Sequence, residues 1–531
     1  MPSRKTLWSG FVLAMVGGAA WPVFAALASN PPTPETEKWW AQVTALSGDA
    51  MEGRDTGTAA YEQAARYVAD QFAAAGLKPA GEGGTFFQRV PMHQVELDAA
   101  RSFVTVTAAA GRVEPLKLLH DLTIVANAAL LANLEGPLTF VGYGLNAAGS
   151  SLPDIDLRGR IAVYFNGAPT GLSASEGAAY AALRLKVLRT SGALATISIA
   201  NPAVIEPVRW PAAYARSVAL VEKPAQPNPQ PAITISVEAA AKLFGPDQNF
   251  AAILQDGMKG LPLPTLALPS TLTLHLVLTQ KDISSPNIVA ILPGSDAALG
   301  AEHVVLSAHL DGYGYGTPVG GDALYNGTLD DAAYVALLTE FAREQAALPI
   351  AQRARRSLLF CIFTGEEKGL LGSVYYTAHP TVPIRTMVAD LNLDQLRPIF
   401  PLRILTMEGI ADSTLGDVAR TVAKKFSIEL RPDLEPERRL FLRADNYSFV
   451  QAGVPIAAFV FGYDRGSAEE TVYRDWYARR YHRPQDNLAT PIDWAAAAKF
   501  NRFYAELALA VANADARPAW LPASRYAPRA Q

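Results

Sequence analysis

The second half of the chain repeats short apolar runs at intervals that leave room for a helix, and this alternation constrains the fold more than any other feature. The runs read as buried strands over residues 287–292, 304–308, 358–363, 388–393 and 456–461. Helical patterns lie between several of them, as over 332–345, and a last helix is expected over 494–511. Strands that alternate with helices form mostly parallel sheets covered on both faces. The sequence therefore predicts an α/β fold with a mixed, mostly parallel central sheet.

The first half of the chain contains a predicted helix followed by a segment rich in predicted strands. A helix is predicted over residues 59–75, with Gly76 at the C-terminal cap. From about residue 120 to 265, short apolar runs alternate with turn residues, which is typical of a β-rich module with its own small core. At 531 residues the chain exceeds one ordinary domain. The predicted division is a main domain over 29–119 and 266–515, an inserted β-rich domain over 120–265, and a flexible tail over 516–531.

The first residues have the composition of a secretory signal peptide. Arg4 and Lys5 precede an apolar stretch, and the segment 26–28 (Ala-Leu-Ala) fits a cleavage site. A membrane anchor, the alternative, needs a longer unbroken apolar run. The sequence thus predicts a signal peptide over residues 1–28, a periplasmic or secreted protein, and no membrane attachment after cleavage.

The overall composition excludes several classes of protein. Half of the residues are hydrophobic and 18% are charged, with a formal net charge of −4, which is typical of a globular chain. No basic tract is present, so no nucleic-acid partner is expected. Cys361 is the single cysteine, so no internal disulfide can form. It lies within an apolar run and is interpreted as a small buried hydrophobic residue.

Side chains of the type that bind metals follow the predicted strands or open a helix. They are His309, Asp311, Asp330, Asp331, Glu366, Glu367, Asp394 and His482. Because sites in open α/β sheets form at the carboxyl ends of strands, we expect these residues to converge on one edge. Clustered carboxylates repel one another, and a divalent cation is the simplest way to hold them together. The set exceeds the three protein ligands of one catalytic zinc, so two metal ions that share a carboxylate fit better.

At these positions the sequence resembles the co-catalytic di-zinc exopeptidases, a family of aminopeptidases, glutamate carboxypeptidases and non-enzymatic transferrin-receptor relatives. "SAHLDGYG" is similar to the family's first ligand motif, "NGTLDDAAYVALL" to its bridging motif, and "FTGEEKGLLGS" to its acid/base motif. "NLDQL" and "YHRPQDN" are similar to the segments that carry the remaining ligands. The resemblance covers most of residues 40–510, with all five ligand positions in the expected order.

What the resemblance implies for the site can be stated by residue. The first zinc would be held by His309, Asp330 and Asp394, and the second by Asp330, Glu367 and His482. Glu366 would be the general base, and Asp311 would orient His309. The resemblance also implies a cis peptide bond after Asp330. The cofactors would be two Zn²⁺ per chain, with Mn²⁺ or Co²⁺ as substitutes.

The resemblance extends to the architecture, with two local departures. It implies the zinc exopeptidase fold, and "FVGYGL" and "DLRGRIAVYFNG" resemble parts of the protease-associated insert found in many members. Tyr334 stands where the family usually has a glycine. Asn446 stands where the family usually has a histidine, so any proton or charge role of that histidine is absent.

The function implied is that of an exported metal-dependent exopeptidase, with an aminopeptidase acting on peptides with a free N-terminus as the favoured form. Either Tyr463 or Tyr481 is a candidate for a further hydrogen-bond donor. A glutamate carboxypeptidase-like enzyme is an alternative, because Arg397, Arg443 and Arg465 follow strand ends and could bind a carboxylate. A non-catalytic, receptor-like binding protein is a second alternative, although such relatives have lost ligands. The oligomeric state stays open.

Overall fold

A computed structural model describes residues 31–108, 111–146, 149–203, 216–394 and 396–527. The predicted signal peptide, residues 1–28, lies outside the described residues. Within the described ranges, every helix is too short or too polar to cross a lipid bilayer.

The larger sheet has ten strands, in the order β19-β18-β20-β17-β13-β16-β12-β2-β9, with β1 paired to β12. The strands are β1 (Lys78–Pro79), β2 (Phe87–Leu97), β9 (Arg216–Leu220), β12 (Leu278–Leu292), β13 (His303–His309), β16 (Ser357–Phe363), β17 (Met387–Asn392), β18 (Ile404–Glu408), β19 (Glu429–Arg431) and β20 (Ile456–Gly462). The central run β20-β17-β13-β16 is parallel, whereas β12, β2 and β9 extend it in antiparallel fashion. At the other end β18 is antiparallel to β20 and parallel to β19. The predicted mixed α/β sheet is confirmed, whereas the expectation that it is mostly parallel holds for its four central strands and not for most of the strands at either side.

Helices cover both faces of this sheet. The helices of the described chain are α1 (Pro34–Ser47), α2 (Ala59–Ala74), α3 (Ala174–Arg189), α4 (Val237–Ala240), α5 (Phe250–Met258), α6 (Ala333–Ala346), α7 (Leu371–Ala378), α8 (Leu415–Lys425), α9 (Asn446–Gln451), α10 (Ala468–Arg479) and α11 (Trp494–Asn513). Successive strand residues point to opposite faces. In β16 the even-numbered residues from 358 join the core shared with α1, α2, α6 and α11, and the odd-numbered residues join the core shared with α7 and α9. Both faces are therefore buried, as the continuous apolar strands predict.

A second sheet has eight strands, in the order β4-β3-β11-β6-β7-β8-β10-β5. They are β3 (Phe103–Thr107), β4 (Val113–Leu116), β5 (Leu122–Ile124), β6 (Asn133–Val141), β7 (Ile161–Phe165), β8 (Ala195–Ile199), β10 (Ala232–Ile235) and β11 (Thr265–His275). Helices α3, α4 and α5 fall within the same stretch of sequence, and the sheet encloses its own apolar core. Strands β14 (Gly314–Val319) and β15 (Asp322–Tyr325) form a separate antiparallel pair.

The predicted limits of the insert, residues 120 and 265, differ from the observed arrangement. Strands β3 and β4 precede residue 120 but belong to the second sheet, and β11 continues ten residues past the other limit. Strand β9 lies within the predicted insert but pairs with β2 of the larger sheet. The chain passes from β2 to β3 and from β11 to β12 through short connections, so no change of composition marks either junction.

The predicted flexible tail also differs from the structure over residues 516–527. Trp520 donates its indole N–H to the carbonyl of Gly453 at 2.9 Å, and Leu521 donates its backbone N–H to Asp412 at 2.8 Å. The ring of Tyr526 stacks on Phe441 with centroids 4.8 Å apart. Aromatic residues spaced along a Pro-rich segment supply enough contact to hold it without a helix or strand. Residues 528–531 lie outside the described part of the chain.

Candidate metal centre

The candidate ligands converge on the carboxyl edge of the parallel strands. His309 ends β13, Glu366 and Glu367 follow β16, and Asp394 follows β17. Asp330 lies in the irregular turn Thr328–Ala332 that leads into α6, and His482 lies beyond α10. The peptide bond between Asp330 and Asp331 is cis, as the resemblance implies.

Two triads of ligand atoms share one carboxylate. Side-chain donors of His309, Asp330 and Asp394 lie within 4.8 Å of one another, and so do those of Asp330, Glu367 and His482. Asp330 Oδ1 lies 3.4 Å from His309 Nε2, whereas its Oδ2 lies 3.1 Å from His482 Nε2. Glu367 Oε1 lies 3.3 Å from His482 Nε2. The structure therefore brings all five predicted ligands together, with Asp330 facing both triads.

The chemistry of this donor set fits a pair of zinc ions. Each triad offers one imidazole nitrogen and two carboxylates, which are ordinary zinc ligands and leave a position open for water. His309 Nε2 is buried and has no hydrogen-bond partner among the described residues, and the same holds for Asp330 Oδ2. Buried polar atoms are nearly always satisfied, so an unsatisfied ligand atom in each triad fits a cation at that position.

Asp311 acts on the neighbouring loop as well as on His309. Its carboxylate accepts the backbone N–H groups of Glu366 at 3.0 Å and Glu367 at 3.2 Å, together with the hydroxyl of Thr56 at 3.0 Å. His309 Nδ1 lies 3.1 Å from the backbone carbonyl of Asp311 but 3.7 Å from its carboxylate. The carbonyl therefore orients the imidazole, while the carboxylate fixes the loop that carries the two glutamates.

Glu366 is a buried carboxyl group at the edge of both triads. It is 9% exposed, and its Oε2 lies 4.0 Å from His309 Nε2. Burial raises the pKa of Glu366 well above its usual range, His309 opposes the shift, and the carboxylates of Asp394 and Glu367 add to it. A carboxyl group whose pKa is raised holds a proton more readily than a free one, which suits a general base.

The turn that carries the bridging Asp330 is held by buried charged residues. The carboxylate of Asp486 accepts the N–H of Leu329 at 3.0 Å and that of Asp330 at 3.1 Å. The guanidinium of Arg54 donates to four carbonyls along the adjoining segments, those of Leu46, Leu310, Asn326 and Gly327. Arg397 Nη2 lies 3.5 Å from Asp330 Oδ2, and the guanidinium lies over the Trp476 ring, 4.3 Å from its centroid.

Sequence reasoning missed several residues of this centre. Asp486 belongs to the segment "YHRPQDN" and Tyr313 to "SAHLDGYG", so both lie within the recognised motifs. Neither their spacing nor their residue type distinguishes them from packing residues. Arg54 lies far from every ligand in sequence, and only the folded chain brings it to the site. Arg397 is predicted as a candidate for binding a substrate carboxylate, whereas it is 1% exposed and its guanidinium faces Asp330.

A cavity of about 400 Å³ opens onto the metal ligands. It is lined by Asp330, Glu366, Glu367, Gly369, Leu370, Leu442, Arg443, Tyr481 and His482. Of the two tyrosines considered as hydrogen-bond donors, Tyr481 lines this cavity and stacks on His482 with ring centroids 3.6 Å apart. Tyr463 does not line it, and its hydroxyl lies 3.5 Å from Arg474. Of the three candidate arginines, Arg443 lines the cavity. Arg465 is exposed and donates to the carbonyl of Leu434.

The two departures from the family pattern are both buried. Tyr334 is 1% exposed and packs edge-on against Phe500 at 6.3 Å, so it extends the core beneath the bridging turn. Asn446 opens α9 and donates its side-chain amide to the carbonyl of Phe441 at 3.1 Å. Neither residue lines the cavity.

The chain is similar in sequence to known peptidases. Residues 287–508 match the model of Peptidase family M28. The chain is 26% identical over 266 residues to probable leucine aminopeptidase 2 of Aspergillus oryzae, which covers 47% of this chain and 49% of that protein. The chain thus spans about half the length of that curated relative.

Two solved structures share the fold over most of their length. An aminopeptidase from Aneurinibacillus sp. strain AM-1 is 18% identical with a TM-score of 0.56, over 92% of this chain and 94% of that one. A zinc aminopeptidase from Bacillus subtilis is 20% identical with a TM-score of 0.57, over 90% of this chain and 95% of that one. At these identities the likeness establishes a common fold.

Proposed function

We propose that this chain, whose residues 287–508 match the model of Peptidase family M28, is a two-zinc aminopeptidase of that family that removes N-terminal residues from peptides. One observation carries the proposal: the carboxylate of Asp330 presents one oxygen to His309 and the other to His482. A carboxylate shared between two imidazole-bearing triads is what a pair of metal ions requires. The named activities of the similar proteins, leucine aminopeptidase and zinc aminopeptidase, support the choice of reaction.

Five of the converging side chains are assigned as metal ligands. His309, Asp330 and Asp394 would hold one zinc, and Asp330, Glu367 and His482 the other. Bound zinc ions supply Lewis acidity, which lowers the pKa of a water molecule and polarises the scissile carbonyl.

Glu366 is placed to move the proton. Its carboxylate lines the cavity beside the ligands, and we assign it the proton of the attacking water. The same group then returns that proton to the departing amine, so the glutamate ends the cycle unchanged. Asp311 keeps Glu366 in position by accepting its backbone N–H.

A carboxypeptidase that recognises a carboxylate is the second candidate, and Arg443 favours it. This arginine lines the cavity next to the ligands, where a guanidinium can pair with a substrate carboxylate. The two candidates differ in which end of the peptide must be free. Leucine anilide and N-acetyl-leucyl-glutamate separate them, because an aminopeptidase cleaves only the compound with a free amino group, whereas a carboxypeptidase cleaves only the compound with a free carboxylate.

The variant Glu366→Gln tests the proposed reaction. Glutamine keeps the shape but cannot take a proton, so turnover is expected to fall by roughly 10²–10⁴-fold, the usual contribution of general acid–base catalysis. Zinc content should stay at the wild-type value, because Glu366 is not assigned as a ligand. Hydrolysis of leucine anilide and elemental analysis of the same samples provide the two measurements.

Glu340→Gln is the matched control. Glu340 is 8% exposed, close to the 9% of Glu366, but it pairs with Arg343 on α6 and does not line the cavity. Its variant should turn over substrate as the wild type does. Normal turnover in Glu366→Gln would refute the assignment of the base, and loss of zinc from it would mean that Glu366 is a ligand instead.

A further inference from the structure

Tyr313 contacts two ligands of the second metal site at once. It ends the short loop that starts at His309, and its side chain is buried, with 5% of the residue exposed. Its hydroxyl donates to Glu367 Oε2 and lies 3.1 Å from His482 Nδ1. The atoms that face the proposed metal are the opposite ones, Glu367 Oε1 and His482 Nε2. The phenol therefore holds each ligand by the atom that the metal does not use.

The hydrogen-bond chemistry gives this contact one consistent direction. An imidazole nitrogen must be unprotonated to bind a metal, so a neutral His482 that binds through Nε2 carries its proton on Nδ1. Nδ1–H can then donate to the oxygen of Tyr313. The single phenolic proton remains for Glu367 Oε2, which as a carboxylate can only accept. The chain of donors runs from His482 through Tyr313 to Glu367, with every proton placed.

We propose that Tyr313 is a positioning residue of the second metal site, which fixes the tautomer and ring plane of His482 and the carboxylate orientation of Glu367. This inference rests on the proposed two-zinc function. Groups that bond to the outer atoms of metal ligands commonly change metal affinity by 10–100-fold when they are lost. Nothing else in the proposed mechanism requires Tyr313.

The first metal site has an equivalent device in the same loop. His309 Nδ1 lies 3.1 Å from the carbonyl of Asp311, which fixes that imidazole with Nε2 towards Asp330. A backbone carbonyl thus does for His309 what the Tyr313 hydroxyl does for His482. The segment 309–313 therefore supplies, at each site, the group that contacts Nδ1 of the ligand histidine: the Asp311 carbonyl for His309 and the Tyr313 hydroxyl for His482.

The ring of Tyr313 is held so that its hydroxyl cannot swing away from the ligands. It packs edge-on against His482 at 4.8 Å and against Tyr325 at 6.5 Å. The buried ammonium of Lys368 lies 5.4 Å from the ring centroid and 3.1 Å from Asp55 Oδ1. A side chain fixed by packing on several sides is suited to positioning, because little freedom is left to lose when the metal binds.

The variant Tyr313→Phe tests the inference, with Tyr325→Phe as its matched control. The first change removes the hydroxyl that joins the two ligands and keeps the ring. The second removes a buried hydroxyl from the adjoining ring, whose hydrogen bond goes to the carbonyl of Thr317 at 2.7 Å. Metal-free protein is titrated with Zn²⁺ against a competing chelator, and with Co²⁺ while its visible absorption is followed. Both measurements report on binding without any substrate.

We expect Tyr313→Phe to weaken one of the two zinc equivalents, that of the His482 site, by 10–100-fold and to leave the other within about threefold. The cobalt absorption of the weakened equivalent should change shape, because the coordination of His482 and Glu367 is no longer fixed. Tyr325→Phe should bind both equivalents as the wild type does. The affinity of the His309 site serves as the folding control, since His309 borders the loop that carries Tyr313.

Three results would overturn the inference. Wild-type affinity for both equivalents in Tyr313→Phe means that the hydroxyl positions nothing. Equal weakening of both equivalents means that the residue only supports the fold of the loop. If the wild-type protein itself binds a single zinc, the proposed two-zinc function fails together with the role of Tyr313, whereas the first two results leave that function standing.

Discussion

Replacing Asp311 by asparagine separates two roles that this residue could have. Its carboxylate accepts three hydrogen bonds, from the backbone of Glu366, the backbone of Glu367 and the hydroxyl of Thr56. Its backbone carbonyl, which any substitution retains, lies 3.1 Å from His309 Nδ1. The structure thus predicts that Asp311→Asn disturbs the loop of the two glutamates and spares the imidazole.

The size of the effect follows from these contacts. The asparagine side chain has one oxygen, which can still accept the backbone N–H of Glu366. Its NH₂ group then faces the backbone N–H of Glu367, and because both groups are donors, that hydrogen bond is lost. An unpaired buried N–H costs about 1–3 kcal/mol, and the bond that remains loses its charge assistance, for about 1 kcal/mol more. We therefore expect the free energy of unfolding to fall by about 2–4 kcal/mol. A displacement of Glu366 by about 1 Å is enough to lower turnover by roughly 10²-fold.

Three measurements on the same sample test this reasoning: denaturant unfolding, anilide hydrolysis and zinc titration. Affinity should fall at the site that uses Glu367 and stay within about threefold at the site that uses His309. Thr56→Val is the control, because it removes one bond to Asp311 and leaves the glutamate loop bonded, at a cost of about 1 kcal/mol. Loss of zinc from the His309 site alone, with normal turnover, would refute the argument and restore an orienting role for the carboxylate.

Two further predictions concern parts of the fold outside the metal centre. Burial raises the pKa of Glu408 to about 7, with Asp433 and Asp412 adding to it. The folded state then binds more protons than the unfolded state between pH 4.5 and 7, so stability is lost as the pH rises through that window. Glu408→Gln should therefore be more stable than the wild type at pH 8, by at most on the order of 3 kcal/mol, and equal to it near pH 4; equal denaturant midpoints at pH 8 would contradict this. Trp520→Ala should lower the free energy of unfolding by about 2–3 kcal/mol through the lost bond to Gly453 and lost apolar contact, and a change below about 0.5 kcal/mol would mean that the segment is mobile in solution.

The strands that form the sheet could be predicted because their signal is local. The run 358–363 is apolar at every position, and the structure buries all of it between two layers of helices. The limits of the second sheet could not be predicted in the same way. Strands β3 and β11 pair across more than 150 residues of sequence, and no local pattern reports such a pairing. The docked segment around Trp520 was missed for the same reason, because its partners are distant in sequence and its own composition is that of a loop.

The candidate ligands could be predicted from motifs, whereas their supporting residues could not. A histidine or carboxylate at a strand end already limits the chemistry, so His309 and Glu367 are recognisable before the chain folds. Tyr313 and Arg54 are ordinary core residue types, and their roles exist only in the distances that the fold creates. The carboxylate of Asp311 shows the limit most clearly, since the motif identified the residue and the structure supplied its partners.

The charge of the centre explains why such a fold calls for cations. Among the described residues, the carboxyl groups packed around it include those of Asp311, Asp330, Asp331, Glu366, Glu367, Asp394, Asp445 and Asp486. The buried arginines Arg54 and Arg397 face them, and burial lowers the pKa of Arg54 only to about 10, so it stays charged at neutral pH.

Burial raises the pKa of two of these carboxyl groups, that of Asp331 well above its usual range and that of Asp486 to about 6. Two divalent ions would supply four positive charges to the same cluster, which would favour the charged form of its carboxylates. Arg397 fits the same account, because its guanidinium lies 3.5 Å from Asp330 Oδ2, near enough to offset charge and too far to occupy the oxygen that the metal needs. The arginine thus lowers the repulsion within the cluster without replacing the ions.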